Sequence, residues 1–355
     1  MALDEDSLLR ALAPDQSCIS VPNAAVDLFP RTVGPRILHL PDQNQIIKAG
    51  PSVKMSEAEA MRFVALHTSI PVPEVQEAYN KNGCGYIVMS KADGEPLADI
   101  WQDLGSDQRA SVVSQLRNYA EQLRSLTGQF YGALWGQACE DIFFNHLPFH
   151  HERVRYGPYY TRQQFNDGLI AALENSRPNR SLAYSEKALA SRIRAVTDET
   201  KTFSHGDFHP LNILANRMGD VTAIVDWESA GFSICGREYY EARKRSRNDE
   251  WDAALDEIFP EEARAHFDLL KELDQTLIQY TVRTHLPPTA RATAAAVCPT
   301  NISIHADVPE GTTFSASNVM IALNTQSWHL STPSLGADSS RMIFTACSAN
   351  RRCWC

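Results

Sequence analysis

Short apolar runs alternate with turn-forming residues in the N-terminal part of the chain, and this spacing predicts β-strands. The runs lie at residues 36–40, 45–49, 75–79 and 86–89. The first two flank a short polar turn, and the last two flank a turn with Asn82-Gly83 at its tip, so each pair predicts a hairpin. Between the hairpins, apolar residues at helical spacing predict a helix that opens at Ser56 and stops before Ile70-Pro71. The pattern predicts a small antiparallel sheet accompanied by one helix.

Apolar stripes at intervals of three and four residues dominate the middle of the chain and predict helices. They lie at residues 107–127, 161–173, 189–196 and 261–285. Thr161 and Gln164 match a capping box at the start of the second helix. The predicted fold class is α+β, with a small antiparallel-sheet N-lobe and a mainly helical C-lobe.

The same patterns divide the chain into four parts. Residues 1–30 are predicted to form a loosely ordered leader, 31–92 the N-lobe and 93–285 the C-lobe, and 286–355 a low-complexity or disordered tail. The tail is rich in Ser, Thr and Ala and poor in charge, which is typical of linkers and disordered segments. A second interpretation of its abrupt change in composition is an altered reading of the end of the gene.

Composition narrows the function classes. The chain of 355 residues has a formal net charge of −10, which argues against nucleic-acid binding because such surfaces are basic. No stretch approaches the roughly 18 apolar residues of a membrane-spanning helix, and the acidic N-terminus differs from a secretory signal. We therefore expect a cytoplasmic protein with no membrane partner. Reduced thiols are predicted at four cysteines that lack metal-like spacing: Cys18, Cys84, Cys139 and Cys235.

One stretch carries a pattern typical of phosphoryl transfer. His205-Gly206-Asp207 is followed by Asn212, and the next apolar run ends at Asp226-Trp227-Glu228. The strand pattern places Asp207 in a loop after one strand and Asp226 just past the end of another. There Asp207 can accept the proton of an acceptor hydroxyl, while Asn212 and Asp226 bind a metal ion that bridges nucleotide phosphates. Ordinary turn residues are the alternative, but the complete set of residue types and spacings favours a phosphotransferase site.

On these motifs the chain resembles the aminoglycoside phosphotransferase family, small-molecule kinases with a two-lobed, protein-kinase-like fold. The resemblance covers about residues 36–285. It implies that Asp207 is the catalytic base, that His205 positions the catalytic loop, and that Asn212 and Asp226 are metal ligands, with ATP and Mg²⁺ as cofactors. A plain packed histidine is the alternative for His205.

The resemblance also implies nucleotide contacts in the N-lobe. Lys48 would neutralise the phosphates and Glu59 would hold it in place, with Glu57 as the second candidate. Ser56 and Glu59 also match a capping box, in which the glutamate returns to the helix terminus.

Adenine is expected to contact the backbone from Ser90 to Ala92, with Met89 beside it. A methionine at the end of an apolar strand is also typical of a core. The glycine-rich loop of protein kinases has no match, because Val33-Gly34-Pro35 lacks the repeated glycines.

Few residues separate Asp226 from a predicted helix at Arg237, which leaves no peptide-binding activation segment. The predicted function is transfer of the γ-phosphoryl group of ATP to a hydroxyl of a small molecule. A choline, ethanolamine or sugar-amine kinase of the same superfamily is one alternative, and a non-catalytic nucleotide-binding protein is another. Carboxylates between Asp249 and Glu262 either attract an amine-bearing acceptor or form a solvated helix face.

Overall fold

The N-terminal apolar runs form a five-stranded sheet in a computed structural model of the chain. The strands are β1 (Val26–Asp27), β2 (Arg36–Leu40), β3 (Gln45–Gly50), β4 (Val75–Lys81) and β5 (Cys84–Ser90). They lie in the order β1-β2-β3-β5-β4. All neighbours pair antiparallel, and both predicted hairpins are present. Asn82 and Gly83 have φ values of 51° and 78°, the left-handed conformation that a two-residue hairpin turn requires. β1 extends the sheet upstream of residue 31, the predicted start of the N-lobe.

The structure describes residues 19, 21–22, 24–30, 34–146, 154–246 and 248–284, together with strand segments at 303–307, 328–330 and 341–348. The strand at 341–348 pairs antiparallel with each of the other two segments. Most residues of the predicted leader (1–30) and the predicted tail (286–355) lie outside the described residues.

Among the described residues of the N-terminal part, the helix α1 (Met55–His67) buries Ala58, Met61 and Val64 in the main hydrophobic core. The predicted opening at Ser56 is one residue late. Lys54 is the N-cap and no side chain caps the helix, so the predicted Ser56–Glu59 capping box is absent. The far side of the helix reaches the second lobe, where the Phe63 ring lies 5.1 Å from that of Phe203. This packing fixes the helix between the two lobes.

The C-terminal part is mainly helical. Its helices are α2 (Leu97–Ile100), α3 (Ser106–Ser125), α4 (Arg162–Asn175), α5 (Tyr184–Arg194), α6 (Arg237–Arg245), α7 (Asp249–Ile258) and α8 (Phe267–Thr284). The capping box of Thr161 and Gln164 is confirmed. The helix predicted at 261–285 is broken, because a short 3₁₀ turn at Glu261–Arg264 is followed by His266 with a φ of 64°, outside the helical range.

Two small antiparallel sheets hold the loops that carry the phosphoryl-transfer motifs. One contains β6 (Glu95–Pro96), β8 (Ile213–Ala215) and β9 (Val221–Ile224), and the other pairs β7 (Thr202–Ser204) with β10 (Gly231–Ser233). The loop from β7 to β8 carries Asp207, and Asp226 lies just beyond the end of β9, after Val225. The predicted α+β class with a sheet-containing N-lobe and a helical C-lobe is confirmed.

A buried carboxylate fixes α6, the helix that follows these sheets. Asp274 on α8 accepts hydrogen bonds from Tyr240 (2.6 Å) and His146 (3.1 Å) and pairs with Lys244 (2.7 Å). Burial opposes ionisation, but the bonds from His146 and Lys244 prevail and lower the pKa of Asp274 to about 2. An ionised side chain therefore links α8 to Tyr240 and Lys244 of α6.

The cysteine prediction is partly corrected. Cys139 and Cys235 are free thiols, but Cys84 at the start of β5 is disulfide-bonded, so the predicted reduced thiol is wrong there. Cys18 lies outside the described residues. Within the part of the chain that the structure describes, every helix is too short or too polar to cross a membrane.

Candidate active site

The loop between β7 and β8 holds Asp207 in a fixed geometry. The side-chain amide of Asn212 donates to Asp207 Oδ2 (2.9 Å) and to the Asp207 carbonyl (3.1 Å). Arg245 Nε lies 2.9 Å from the other carboxylate oxygen, Oδ1. The Asp207 side chain is 26% exposed, so a bound molecule can reach the carboxylate. Asn212 has committed its amide nitrogen, which leaves its oxygen to act as an acceptor or metal ligand.

His205 is fully buried and organises the loop from inside. Its Nδ1 accepts from the Asp207 amide (3.0 Å), and its Nε2–H donates to the Val225 carbonyl (3.0 Å), a tautomer assigned from this hydrogen-bond network. Burial lowers the pKa of His205, which favours the neutral ring. The ring packs against Trp227 at 4.4 Å. Both ring nitrogens of His205 are therefore bonded to the backbone, one to the Asp207 loop and the other to the segment before Asp226.

The carboxylate of Glu238 on α6 anchors the same loop through the loop's backbone amides. The two carboxylate oxygens accept from the amides of His205 and Gly206, the latter at 3.1 Å. Gly206 has a φ of 78°, and an added Cβ would lie 2.7 Å from the Ser229 carbonyl oxygen, so only glycine fits. Burial raises the pKa of Glu238 to about 7, against the opposing effects of Arg237 and the two amides.

A lysine and three carboxylates meet across the two lobes. Lys48 Nζ on β3 lies 2.9 Å from Glu57, 2.6 Å from Asp226 and 3.5 Å from Glu228. Burial alone would lower the pKa of Lys48, but the three carboxylates together raise it, so the ammonium is charged. Burial raises the pKa of Glu57 to about 7, although Lys48 opposes that shift.

The predicted ion pair between Lys48 and Glu59 is wrong. Glu57 faces Lys48 from the first turn of α1, whereas Glu59 pairs with Arg62 on the same helix at 2.7 Å, on the solvent side. Residues two positions apart on a helix differ by about 200° of rotation, so these glutamates cannot share one face. The second sequence candidate, Glu57, is the one that contacts the lysine.

The two glutamates give a matched pair of variants. For the ATP-dependent transfer that the sequence predicts, Glu57→Gln is expected to lower kcat/KM for MgATP by roughly 10- to 100-fold, because a hydrogen bond to a charged group contributes about 1.5–3 kcal/mol. Glu59→Gln is expected to stay within about twofold, since exposed ion pairs contribute little. Steady-state ATP turnover of both variants checks this, and equal losses at the two positions would contradict the assignment.

Asp226 reaches the site because of a hairpin and an unusual backbone. Ile213 pairs with Ile224, and the Val225 amide donates to the Asn212 carbonyl (2.9 Å), so the chain just before Asp226 is bonded to Asn212. Asp226 itself has φ 67° and ψ 61°, a left-handed conformation rare outside glycine and typical of functional positions. The turn points this carboxylate towards Lys48 on the other lobe.

The predicted adenine-binding segment lies at the end of β5. The Ser90 amide donates to the Glu74 carbonyl (2.9 Å) and the Lys91 amide to the Asn44 carbonyl (3.0 Å), so both donors are taken. No hydrogen bond engages the Ala92 amide among the described residues. Met89 is buried in the main core. Of the three positions, Ala92 offers the amide that a ligand can use.

Several charged residues at the site carry no role in the sequence prediction. Glu228 belongs to the Asp-Trp-Glu motif, and the others, Glu238 and Arg245, lie on α6. A signal for Arg245 exists in the sequence: Arg237, Glu241 and Arg245 are spaced by four residues and so share one helix face. Nothing in that spacing shows that the face meets the Asp207 loop.

Comparisons with known proteins give a family for this chain. The model of the phosphotransferase enzyme family, APH, matches residues 49–273. Subtelomeric hrmA-associated cluster proteins from two strains of Aspergillus fumigatus are 28% identical over 122 residues, which is 32% of this chain and 23% of each relative's length. The chain therefore aligns with less than a third of those curated relatives.

Solved structures that match the chain at low identity include an aminoglycoside phosphotransferase and a macrolide phosphotransferase. A thermostable mutant of aminoglycoside phosphotransferase APH(4)-Ia, in its apo form, has 18% identity and a TM-score of 0.44 over 74% of this chain and 84% of that protein. Macrolide 2'-phosphotransferase type I has 10% identity and a TM-score of 0.43 over 74% of this chain and 85% of that protein. The family match covers more than half of the chain and includes Asp207, Asn212 and Asp226, so this protein belongs to the phosphotransferase enzyme family.

Proposed function

We propose that the protein transfers the γ-phosphoryl group of ATP, with Mg²⁺, to a hydroxyl of a small molecule. The observation that carries the proposal is the arrangement of the charged residues. A loop with a partly exposed Asp207 bonded to Asn212 is hydrogen-bonded through Asn212 and His205 to Val225, which precedes Asp226. Asp226 in turn pairs with Lys48 of the other lobe. Kinase-type transfer needs a base, metal ligands and a phosphate-neutralising cation in one cleft.

Asp207 serves as the base in this proposal. An ionised carboxylate has roughly four acceptor sites, and the contacts with Asn212 and Arg245 use two of them. The remaining sites can accept the proton of the acceptor hydroxyl as its oxygen attacks the γ-phosphorus. His205 and Glu238 keep the loop in place and exchange no proton with the acceptor.

The N-lobe residues bind the nucleotide. Lys48 donates to phosphate oxygens while Glu57 keeps its ammonium in place, which is how a buried lysine neutralises a polyphosphate. The Ala92 amide is the donor for the adenine edge, and Ser90 shapes the segment through its bonds with Glu74. Met89 supports that segment from the core.

The donor set fits a hard divalent cation. Oxygens of Glu57, Asp226 and Glu228 lie within 4.8 Å of one another, and Lys48 is the cation bonded to them, so carboxylates are in excess. Oxygen ligands of this kind suit Mg²⁺, which usually takes one or two carboxylates together with substrate phosphates. Asp226 and Asn212 are the proposed ligands; when bound, the ion neutralises charge that develops on the phosphates.

The acceptor is proposed to be a small molecule and not a polypeptide, since β10 leads directly into α6. The net charge of −10 argues against a nucleic acid. The carboxylates of α7 give no reason to expect a cationic acceptor. Glu250 pairs with Arg109 and Asp252 with Arg243, so these charges join α7 to neighbouring helices.

The test is transfer of labelled phosphate from γ-labelled ATP to a panel of amino-alcohols, sugars, aminoglycosides and neutral hydroxyl compounds. We expect label in at least one acceptor with Mg²⁺ present and none after chelation. The expected readout is ADP formed in proportion to labelled product. A protein that binds ATP but labels no acceptor and forms no ADP would instead be the non-catalytic alternative.

A further inference from the structure

The guanidinium of Arg245 lies directly beside the proposed base. Its Nε is 2.9 Å from Asp207 Oδ1, opposite the Asn212 amide that bonds Oδ2. Arg245 is the last residue of α6, so it comes from a different element than either partner. Donors on both sides of a carboxylate restrict its rotation about the terminal bond, which is otherwise broad.

Arg245 is itself held in place by two further contacts. Nη1 donates to the Gly206 carbonyl (3.1 Å) and lies 3.5 Å from Glu241 Oε2. Glu241 is buried, and its other oxygen is bonded to Arg237 Nε (3.0 Å) and the Ile142 amide (3.0 Å). The arginine therefore transmits the position of a rigid, buried group to the carboxylate of Asp207.

We propose that Arg245 is a positioning residue for Asp207, which rests on the proposed phosphotransferase function. Arg245 and Asn212 together set the plane of the Asp207 carboxylate so that its remaining acceptor sites face the incoming hydroxyl. Catalysis by a base depends on such alignment, because a displacement of about 1 Å can lower the rate about 10²-fold. Asn212 alone leaves Oδ1 without a fixed partner.

The competing interpretation is an ion pair that only stabilises the fold. The two interpretations differ in what they change. A stabilising pair shifts the unfolding transition and leaves turnover of the folded protein intact, whereas a positioning residue changes kcat at unchanged KM for MgATP. Arg243 provides the matched control, because it lies on the same helix and pairs with Asp252 of α7, away from Asp207.

The experiment measures Mg²⁺-dependent ADP formation from ATP with water as acceptor, and with the best acceptor of the panel, in the full chain. We expect Arg245→Ala to lower kcat about 10²-fold at unchanged KM for MgATP, and Arg243→Ala to stay close to the wild type. Added guanidinium ion is expected to restore part of the kcat of Arg245→Ala, since the lost side chain is 29% exposed, and to leave Arg243→Ala unaffected. Arg245→Lys is expected to retain more activity than Arg245→Ala.

The outcomes separate the two proposals. A wild-type protein without Mg²⁺-dependent ATP turnover overturns the phosphotransferase assignment and this inference with it. An active wild type with an equally active Arg245→Ala, or a folded Arg245→Ala that guanidinium does not rescue, overturns the role of Arg245 alone. If Arg245→Ala fails to fold, Arg245→Lys decides: full wild-type kcat overturns positioning by the guanidinium, and reduced kcat at unchanged KM supports it.

Discussion

Replacement of Asp207 by asparagine is expected to lower kcat by about 10²- to 10⁴-fold, the usual contribution of a general base. Asparagine keeps the size of the side chain and an oxygen that can accept from Arg245, but it cannot take up the proton of an acceptor hydroxyl. KM for MgATP should change little, because Lys48 and Asp226 remain in place. Steady-state kinetics with the best acceptor measures both constants.

The control for Asp207→Asn is a test that the variant still folds and binds MgATP. The unfolding midpoint and the affinity for MgATP should resemble those of the wild type, since the loop is also held by Glu238 and by the buried His205. Wild-type turnover by a folded Asp207→Asn variant would exclude Asp207 as the base and would leave the chemistry to another group in the cleft.

Replacement of Asp226 by asparagine is expected to lower kcat/KM for MgATP by about 10³-fold and to raise the Mg²⁺ concentration needed for half-maximal activity. The metal supplies several kcal/mol of charge stabilisation, and loss of an anionic ligand weakens its binding. Lys48 keeps its bonds with Glu57 and Glu228, so the two lobes should still close. Turnover measured across a Mg²⁺ titration gives both quantities.

Asp220 offers a matched control for Asp226. It lies just before the start of β9, is exposed, and accepts a hydrogen bond from Asn216 (2.9 Å). Asp220→Asn should leave the Mg²⁺ dependence as in the wild type. Equal Mg²⁺ dependence in Asp226→Asn and the wild type would remove Asp226 from the metal site.

Local patterns predicted the elements well because they depend on neighbours in the chain. The Asn82-Gly83 turn formed as expected because glycine and asparagine tolerate positive φ, and Thr161 capped its helix because its partner is three residues away. The break at His266 was missed, since helical spacing of apolar residues continues through it. Periodicity reports burial, and it does not report a single residue leaving the helical conformation.

Pairings across the chain were harder to predict. The choice between Glu57 and Glu59 depends on how α1 is rotated against β3, and no local pattern near either residue fixes that angle. The predicted nucleotide-binding segment had the same weakness, because the donors of Ser90 and Lys91 were already bonded to Glu74 and Asn44. Only the assembled sheet shows that, among the described residues, the Ala92 amide has no hydrogen bond and can serve a ligand.

The residue types and spacing from His205 to Glu228 were sufficient by themselves to predict the family and phosphoryl-transfer chemistry. A base, an amide and a second carboxylate at these intervals suit that reaction. The tertiary structure decided which charges meet: Glu57 with Lys48, Glu238 under the loop, and Arg245 against Asp207. The physical reason is range. Turns and helices form from contacts a few residues apart, whereas an ion pair between distant segments requires the packing of the whole fold to bring its two charges together.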